Sequence, residues 1–259
     1  MQYLRVKAHR PKKSLGQNFL HDRRILEKIV HAASISKEDT VIEIGPGKGI
    51  LTTELAKLAG HLIAIEKDRD LIRPLHATLS DFNNVELLNE DVLDYTMPKN
   101  RYKLVANIPY YITSPILTHF LHDAFTKNLT PPTVCILLVQ KEVAQKICAA
   151  PPDMNVLALN IQTFGKPKII SYVSRNAFSP KPNVDSAIIR IDVFKKPAVD
   201  CDLAHYFELI HAGFSQKRKT LANSLKKLGG VTLLQQAGIN PTCRAETLTI
   251  SEWQSLALN

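Results

Sequence analysis

The stretch Val41-Ile42-Glu43-Ile44-Gly45-Pro46-Gly47-Lys48-Gly49-Ile50 sets the architecture: an apolar strand runs into a glycine-rich turn, and the turn runs into a helix. Three glycines in five residues let a ligand come against the backbone with no Cβ in the way. A triad of this kind is also found in plain strand-to-helix turns, so its meaning depends on the next two strands of the chain. Sixteen to twenty residues on, a second strand ends in Ile65-Glu66-Lys67-Asp68, which places Glu66 where an acid accepts both ribose hydroxyls of an adenosine. A third strand ends in Asn89-Glu90-Asp91, and Asp91 is placed to receive the adenine amino group of the same ligand. Both a nicotinamide-dinucleotide enzyme and a methyltransferase have this outline. The dinucleotide fingerprint requires glycine at position 50, where this chain has Ile50, and the third glycine is Gly49. A G-x-G-x-G loop with Glu43 beside it suits a ligand without pyrophosphate, because a phosphate would be repelled by that carboxylate.

Outward from this loop, short apolar runs alternate with helix-length amphipathic segments, the pattern of a mostly parallel sheet covered on both faces. Seven strands are expected, at Thr40 to Ile44, His61 to Ile65, Val85 to Leu88, Leu104 to Ala106, Val134 to Val139, Ile169 to Val173 and Ala187 to Val193. Apolar residues at three- and four-residue steps predict helices near 23–33, 50–59, 69–79, 115–122, 141–149 and 155–163. The last two strands are joined only through a Pro-rich loop around Ser179 to Pro182 and are expected to pair antiparallel at the sheet's end. From about Lys195 strand patterns give way to helices punctuated by Gly229-Gly230, Gly238 and Pro241. The chain therefore divides into residues 1–194, a ligand-binding α/β domain with a basic leader, and 195–259, a small helical domain too short to be stable without packing on the first.

The 259 residues carry 33 Lys and Arg against 24 Asp and Glu, a formal charge of +9 that favours an anionic partner. The longest apolar run, Val134 to Val139, is far short of the roughly 20 residues of a spanning helix, and Met1 to Lys13 lacks the apolar core of a secretory signal. A cytoplasmic protein with no membrane association is expected. Cys135, Cys148, Cys201 and Cys243 match neither a zinc site nor a disulfide framework, and the nine histidines show no ligand spacing, so no metal is expected.

The most specific chemistry comes after the fourth strand, in Asn107-Ile108-Pro109-Tyr110-Tyr111. An exocyclic adenine amine is a poor nucleophile because its lone pair is delocalised into the ring. An amide oxygen and a backbone carbonyl accepting from that amine would draw the lone pair out of conjugation and aim it at a methyl donor. Asn107 supplies the amide, Pro109 fixes the turn that presents a carbonyl, and Tyr110 is a stacking surface for the extruded base. Phe178, opening Phe178-Ser179-Pro180-Lys181-Pro182, is a candidate for the base's other face, with simple packing as its alternative.

These residues resemble the small-subunit (16S) ribosomal RNA adenine dimethyltransferases. The likeness is carried by Lys13 to Leu20 (KSLGQNFL), the glycine loop through Thr52, Asn107 to Tyr110, Phe178 to Ala187, and Phe214 to Leu225 (FSQKRKTLANSL), across nearly the whole chain. It implies a Rossmann-like class I S-adenosylmethionine-dependent methyltransferase with a seven-stranded sheet and a C-terminal helical domain. The implied activity is dimethylation of two adjacent adenines in a hairpin near the 3′ end of small-subunit ribosomal RNA. The implied cofactor is S-adenosyl-L-methionine, touched by Asn18, Leu20, Gly45, Gly47, Glu66, Asp91 and Asn107, with Asn107, Pro109, Tyr110 and Phe178 as the catalytic group. The implied partners are that RNA and the precursor of the small subunit, with the enzyme acting as a monomer. A related group that methylates a large-subunit adenine and confers macrolide resistance shares Gln-Asn-Phe and Asn-Ile-Pro-Tyr. The block Gln216 to Leu225 and the tail Arg244 to Leu248 favour the small-subunit group. Met154-Asn155-Val156-Leu157-Ala158 departs from the family, which has Tyr-Gly and then Leu-Ser there, so contacts made by relatives at 151–158 do not carry over.

Residues 1–24 hold seven Lys or Arg and one acid, and 209–245 hold six and none. Basic runs usually face solvent beside compensating acids, and the lack of acids here points to a polyanion. Lys217, Arg218 and Lys219 are the expected RNA contacts. The remaining alternatives are a nicotinamide-linked oxidoreductase, for which no hydride-transfer partner is found, and a non-catalytic ribosome assembly factor.

Overall fold

In the computed structural model, residues 11, 12 and 15–259 are described, apart from the side chain of Tyr110. Most of the basic leader, with Arg5, Lys7, Arg10 and Lys13, therefore lies outside the described residues. A two-residue strand β1 (Phe19–Leu20) precedes helix α1 (Arg23–Ala33), after which β2 (Thr40–Ile44), α2 (Ile50–Leu58), β3 (His61–Ile65), α3 (Arg69–Thr78), β4 (Val85–Leu88) and β5 (Lys103–Asn107) alternate. A 3-10 turn, Tyr110–Ile112, leads into α4 (Thr113–Leu117), a π-helical stretch Thr118–Asp123 and α5 (Ala124–Thr126). Then come β6 (Val134–Gln140), α6 (Lys141–Ile147), α7 (Val156–Gln162), β7 (Gly165–Val173), β8 (Phe178–Ser179) and β9 (Ser186–Val193). The chain closes with α8 (Leu203–Phe214), α9 (Leu221–Ser224), α10 (Gly230–Gln236) and α11 (Ile250–Ala257).

Seven strands form one sheet in the order β4-β3-β2-β5-β6-β9-β7. The first five are parallel, while β9 runs antiparallel to both β6 and β7, as the sequence leads one to expect of the last pair. Side chains alternate between two apolar layers. Ile42, Ile44, Leu104, Ala106, Leu137 and Ile189 face one, and Val41, Leu62, Val105, Ile136, Leu138 and Ile188 face the other, which also receives Leu26 and Ile29 of α1 and Leu51 and Leu55 of α2. Cys135 is fully buried in the first layer. That layer continues without a break into the C-terminal helices, where Tyr206, Phe207, Leu234 and Trp253 join Leu159 and Phe164 in one cluster.

Local chemistry explains the element ends. Asp22 caps α1 by accepting the N–H of Arg24 at 2.9 Å, and Ser34 ends it in the left-handed region with φ of 47°. Thr249 and Glu252 form a reciprocal capping box at the start of α11. The helix expected over 115–122 is longer and irregular, spanning Thr113 to Thr126 with the π stretch at its centre. Strand β7 begins at Gly165, four residues before the expected Ile169, because its outer edge tolerates Pro167 and alternates exposed Lys166 and Lys168 with half-buried neighbours. In the divergent segment, Met154 donates its N–H to the Glu246 carbonyl at 3.0 Å, and Asn155 caps α7 by accepting from Ala158 at 3.0 Å. Among the described residues, no helix is long and apolar enough to cross a membrane.

Candidate active site

The parallel strands deliver their carboxyl ends to one edge of the sheet, where such folds bind ligands. A cavity of about 110 Å³ opens there. The glycine loop leaves β2 with Gly45, Gly47 and Gly49 all at positive φ. Gly47 is constrained twice: its φ is 59°, and a Cβ on it would stand 3.1 Å from the Phe19 ring. Asn18, Leu20, Gly45, Gly47, Glu66, Asp91, Asn107 and Pro109 all line this cavity, so the structure brings eight of the residues read from the sequence to one place.

Glu66 directly follows β3 with only 6% of its surface exposed, and its two oxygens accept the backbone N–H groups of Gly47 at 3.0 Å and Asp68 at 2.8 Å. Burial raises its pKa, and those N–H groups pull the other way by favouring the carboxylate. Asp91 is held by the Lys67 ammonium at 2.5 Å and by the N–H of Leu93 at 3.2 Å. The Lys67 contact is the main cause of a pKa below the usual carboxylate range. Glu43, the acid preceding the loop, is fully buried at the cavity's floor, and burial drives its pKa up to about 8, with Glu66 adding repulsion. The Thr52 hydroxyl is near enough to oppose that rise, yet neither Glu43 Oε2 nor Thr52 Oγ1 makes a hydrogen bond of regular geometry.

Asn107 is the last residue of β5 and is half-buried. Among the described residues its side-chain amide makes no hydrogen bond, so both its oxygen and its NH₂ are available to a ligand. Pro109 holds an extended backbone (φ −56°, ψ 133°), and its carbonyl accepts the N–H of Ile112 at 3.1 Å, closing the 3-10 turn. Tyr110 opens that turn, and its side chain lies outside the described residues. Tyr111, not singled out from the sequence, lines the cavity with 58% of its surface exposed.

Phe178 is placed differently. It is 3% exposed, pairs with Leu20 in the short β1–β8 ladder, and packs in the apolar layer with Leu26 and Ile188. Its side chain supports the segment carrying Asn18 and Leu20 instead of lining the cavity. Lys217, Arg218 and Lys219 lie in the exposed α8–α9 turn, some distance along the chain from the cavity residues, and none forms an ion pair among the described residues.

Sequence reasoning also missed how the N-terminal segment is fastened. Lys12 reaches Asp68 at 2.5 Å and Asp70 at 2.7 Å, and Gln17 donates to Asp68 at 2.7 Å. Lys48 of the glycine loop sits 4.9 Å above the Phe19 ring. These contacts hold Leu15 to Leu20 over the cavity, and no local pattern signals them because the partners are far apart along the chain.

A family model described as "Ribosomal RNA adenine dimethylase" matches residues 8–258. A protein of Dehalococcoides mccartyi named "Ribosomal RNA small subunit methyltransferase A" is 42% identical over 262 residues, covering 96% of this chain and 88% of that protein. Among solved structures, a dimethyladenosine transferase from Plasmodium falciparum superposes with a TM-score of 0.81 at 26% identity, covering 93% of this chain and 96% of the other. The 23S rRNA methyltransferase ErmE superposes with a TM-score of 0.77 at 27% identity, covering 93% and 98%. Because the family model spans residues 8–258 and the Dehalococcoides relative is 42% identical over 96% of the chain, the chain belongs to the ribosomal RNA adenine dimethylase family.

Proposed function

We propose that the protein transfers methyl groups from S-adenosylmethionine to the exocyclic amines of two adjacent adenines in a hairpin near the 3′ end of small-subunit ribosomal RNA. The observation that carries this reading is the unengaged Asn107 amide in a cavity that also gathers the carboxylates of Glu66 and Asp91. That donor set fits the cofactor. Glu66 and Asp91 keep lone pairs for ribose hydroxyls and an adenine amine. Glycine at 47 leaves room where a side chain would meet Phe19. When bound, S-adenosylmethionine supplies an electrophilic methyl group on a sulfonium.

The residues of this chain do the rest by positioning. Asn107 Oδ1 and a main-chain carbonyl of the Ile108–Pro109 turn accept from the target amine, withdrawing its lone pair from the ring and fixing its line of approach. Transfer leaves a proton on the substrate nitrogen, which passes to water, so no strong base is required. Leu15 to Leu20, latched to Asp68, keep bulk water from the cofactor side. Lys217, Arg218 and Lys219 hold the phosphate backbone. The small-subunit reading stands above the large-subunit one because the relative named for the small subunit is 42% identical and ErmE 27%.

Incubation with labelled S-adenosylmethionine and under-methylated small subunits, with subsequent mapping of the modified base, tests the proposal. Dimethyladenosine at two adjacent positions of the small-subunit RNA is expected. Label confined to the large subunit, or absent from all ribosomal RNA, would overturn it.

A further inference from the structure

Strand β7 ends at the same edge of the sheet as the cavity. The register leads there directly: Asn107 pairs with Leu138, Leu138 with Ile188, and Ile188 with Ser171, so Tyr172 stands three strands from Asn107, about 14 Å at about 4.8 Å per strand. Between Ile169 and Ser171 the β7–β9 pairing slips by one residue. Ile169 opposes Ile189, and without the slip Ser171 would oppose Ala187. The extra residue puts Tyr172 in that place and turns it towards the side of the sheet that α6 covers. There the ammonium of Lys141, first residue of α6, lies 5.4 Å from the centre of the Tyr172 ring. Tyr172 is nevertheless 53% exposed, and no other side chain among the described residues covers its outer side in a ring contact.

The surrounding charge is mostly positive. Lys166 and Lys168 project from the same strand, and neither they nor Lys141 form an ion pair among the described residues. Of the nearby acids, Asp192 pairs with Arg190 at 2.7 Å and Asp185 accepts the N–H of Arg175 at 3.0 Å, while Glu142, next to Lys141, is exposed and forms no ion pair among the described residues. On the strand's other side, Lys28 donates to Ser171 at 3.0 Å.

We propose that Tyr172 and Lys141 form a second RNA-binding element, in which Tyr172 stacks on an unpaired base flanking the target adenines while Lys141 meets the adjoining phosphate. The inference rests on the function proposed above. An aromatic face open on one side and backed by a cation on the other is the construction used for single-stranded bases, and the unpaired lysines along β7 extend it as a track for the backbone. A solitary exposed tyrosine would carry no such meaning. The bulge that aims this one, its cationic partner and its place on the substrate edge together do.

The test is equilibrium binding and methylation of a short RNA hairpin with two adjacent adenines in its loop, using wild type, Tyr172→Ala, Tyr172→Phe and Lys141→Met. Tyr172→Ala should weaken binding and raise the RNA KM about tenfold, with kcat and S-adenosylmethionine affinity unchanged. Tyr172→Phe, which keeps the ring, should restore wild-type binding, and Lys141→Met should lower the salt dependence. Unaltered RNA binding by Tyr172→Ala would overturn the proposal. So would equal losses in the Ala and Phe variants, which would mark a hydroxyl contact, or a loss seen with assembled particles but not with naked RNA, which would mark a protein contact. If wild type itself neither binds nor methylates RNA, the proposed function falls as well, and that result is distinct from an active wild type with an indifferent Tyr172.

Discussion

Replacing Glu43 by glutamine should stabilise the ligand-free protein at alkaline pH and leave it nearly unchanged at acid pH. The folded protein holds the Glu43 carboxyl at about 8, against an ordinary value of 4.5, because burial disfavours the charge and Glu66 lies near it. Between those two values the native state keeps a proton that the unfolded chain gives up, so stability falls as pH rises. Below about 4.5 both states are neutral here and the cost vanishes; above about 8 it is present in full. At about 1.4 kcal/mol per tenfold change in proton affinity, the gap sets an upper limit of about 5 kcal/mol. Complete burial means that solvent screening takes little from this figure, which is a large share of the 5–15 kcal/mol typical of a folded domain. Glutamine keeps the shape and removes the titration. Urea unfolding of wild type and Glu43→Gln, compared from pH 5 to pH 9 without cofactor, should show the variant gaining about 3–5 kcal/mol relative to wild type across that range. Two profiles that stay parallel within about 0.5 kcal/mol would refute the reasoning. Glu66 is present in both proteins, so its own pH dependence cancels apart from its coupling to Glu43.

Three further outcomes are expected at the site and the basic turn. Asn107→Ala should lower methylation by about 10²-fold or more while RNA binding by gel shift is unchanged; a fully active variant would remove Asn107 from the catalytic role. Gly47→Ala forces a side chain into a backbone with φ of 59° and against Phe19 at 3.1 Å, so calorimetry should show cofactor affinity reduced at least tenfold, and a normal affinity would contradict the packing described. Neutralising Lys217, Arg218 and Lys219 together should weaken RNA binding and reduce the slope of log K against log salt by about 2, since each single-strand phosphate contact contributes about 0.7. An unchanged salt titration would place the RNA elsewhere.

The parts of the fold carried by continuous local patterns were legible in the sequence. Thr40 to Ile44, His61 to Ile65 and Val85 to Leu88 are strands with those bounds, because a buried parallel strand needs an unbroken apolar run and a turn signal at each end. Helix α1 spans the residues its apolar spacing indicates, with Asp22 as its cap. What depends on distant partners was not legible. The β1–β8 ladder consists of two residues on each side, too short for any periodicity, yet it places Phe178 beneath Leu20 and away from the cavity. The latch from Lys12 and Gln17 to Asp68 joins residues with no sequence relation, and the slip in β7 that aims Tyr172 depends on pairing with β9. At the site, motif spacing located Glu66, Asp91 and Asn107, since strand ends in a parallel sheet converge on one edge. It did not give their state. That Asp91 is held by Lys67, that Glu43 is buried without a regular partner, and that the Asn107 amide is left open are consequences of packing in three dimensions.

The most direct test is a crystal structure of the protein soaked with S-adenosylmethionine. The account predicts density in the cavity between Gly45, Glu66 and Asp91, with the donated methyl group directed at the position that an amine bound to Asn107 Oδ1 would occupy. A cavity that stays empty at saturating cofactor, or a methyl group pointing away from Asn107, would contradict it.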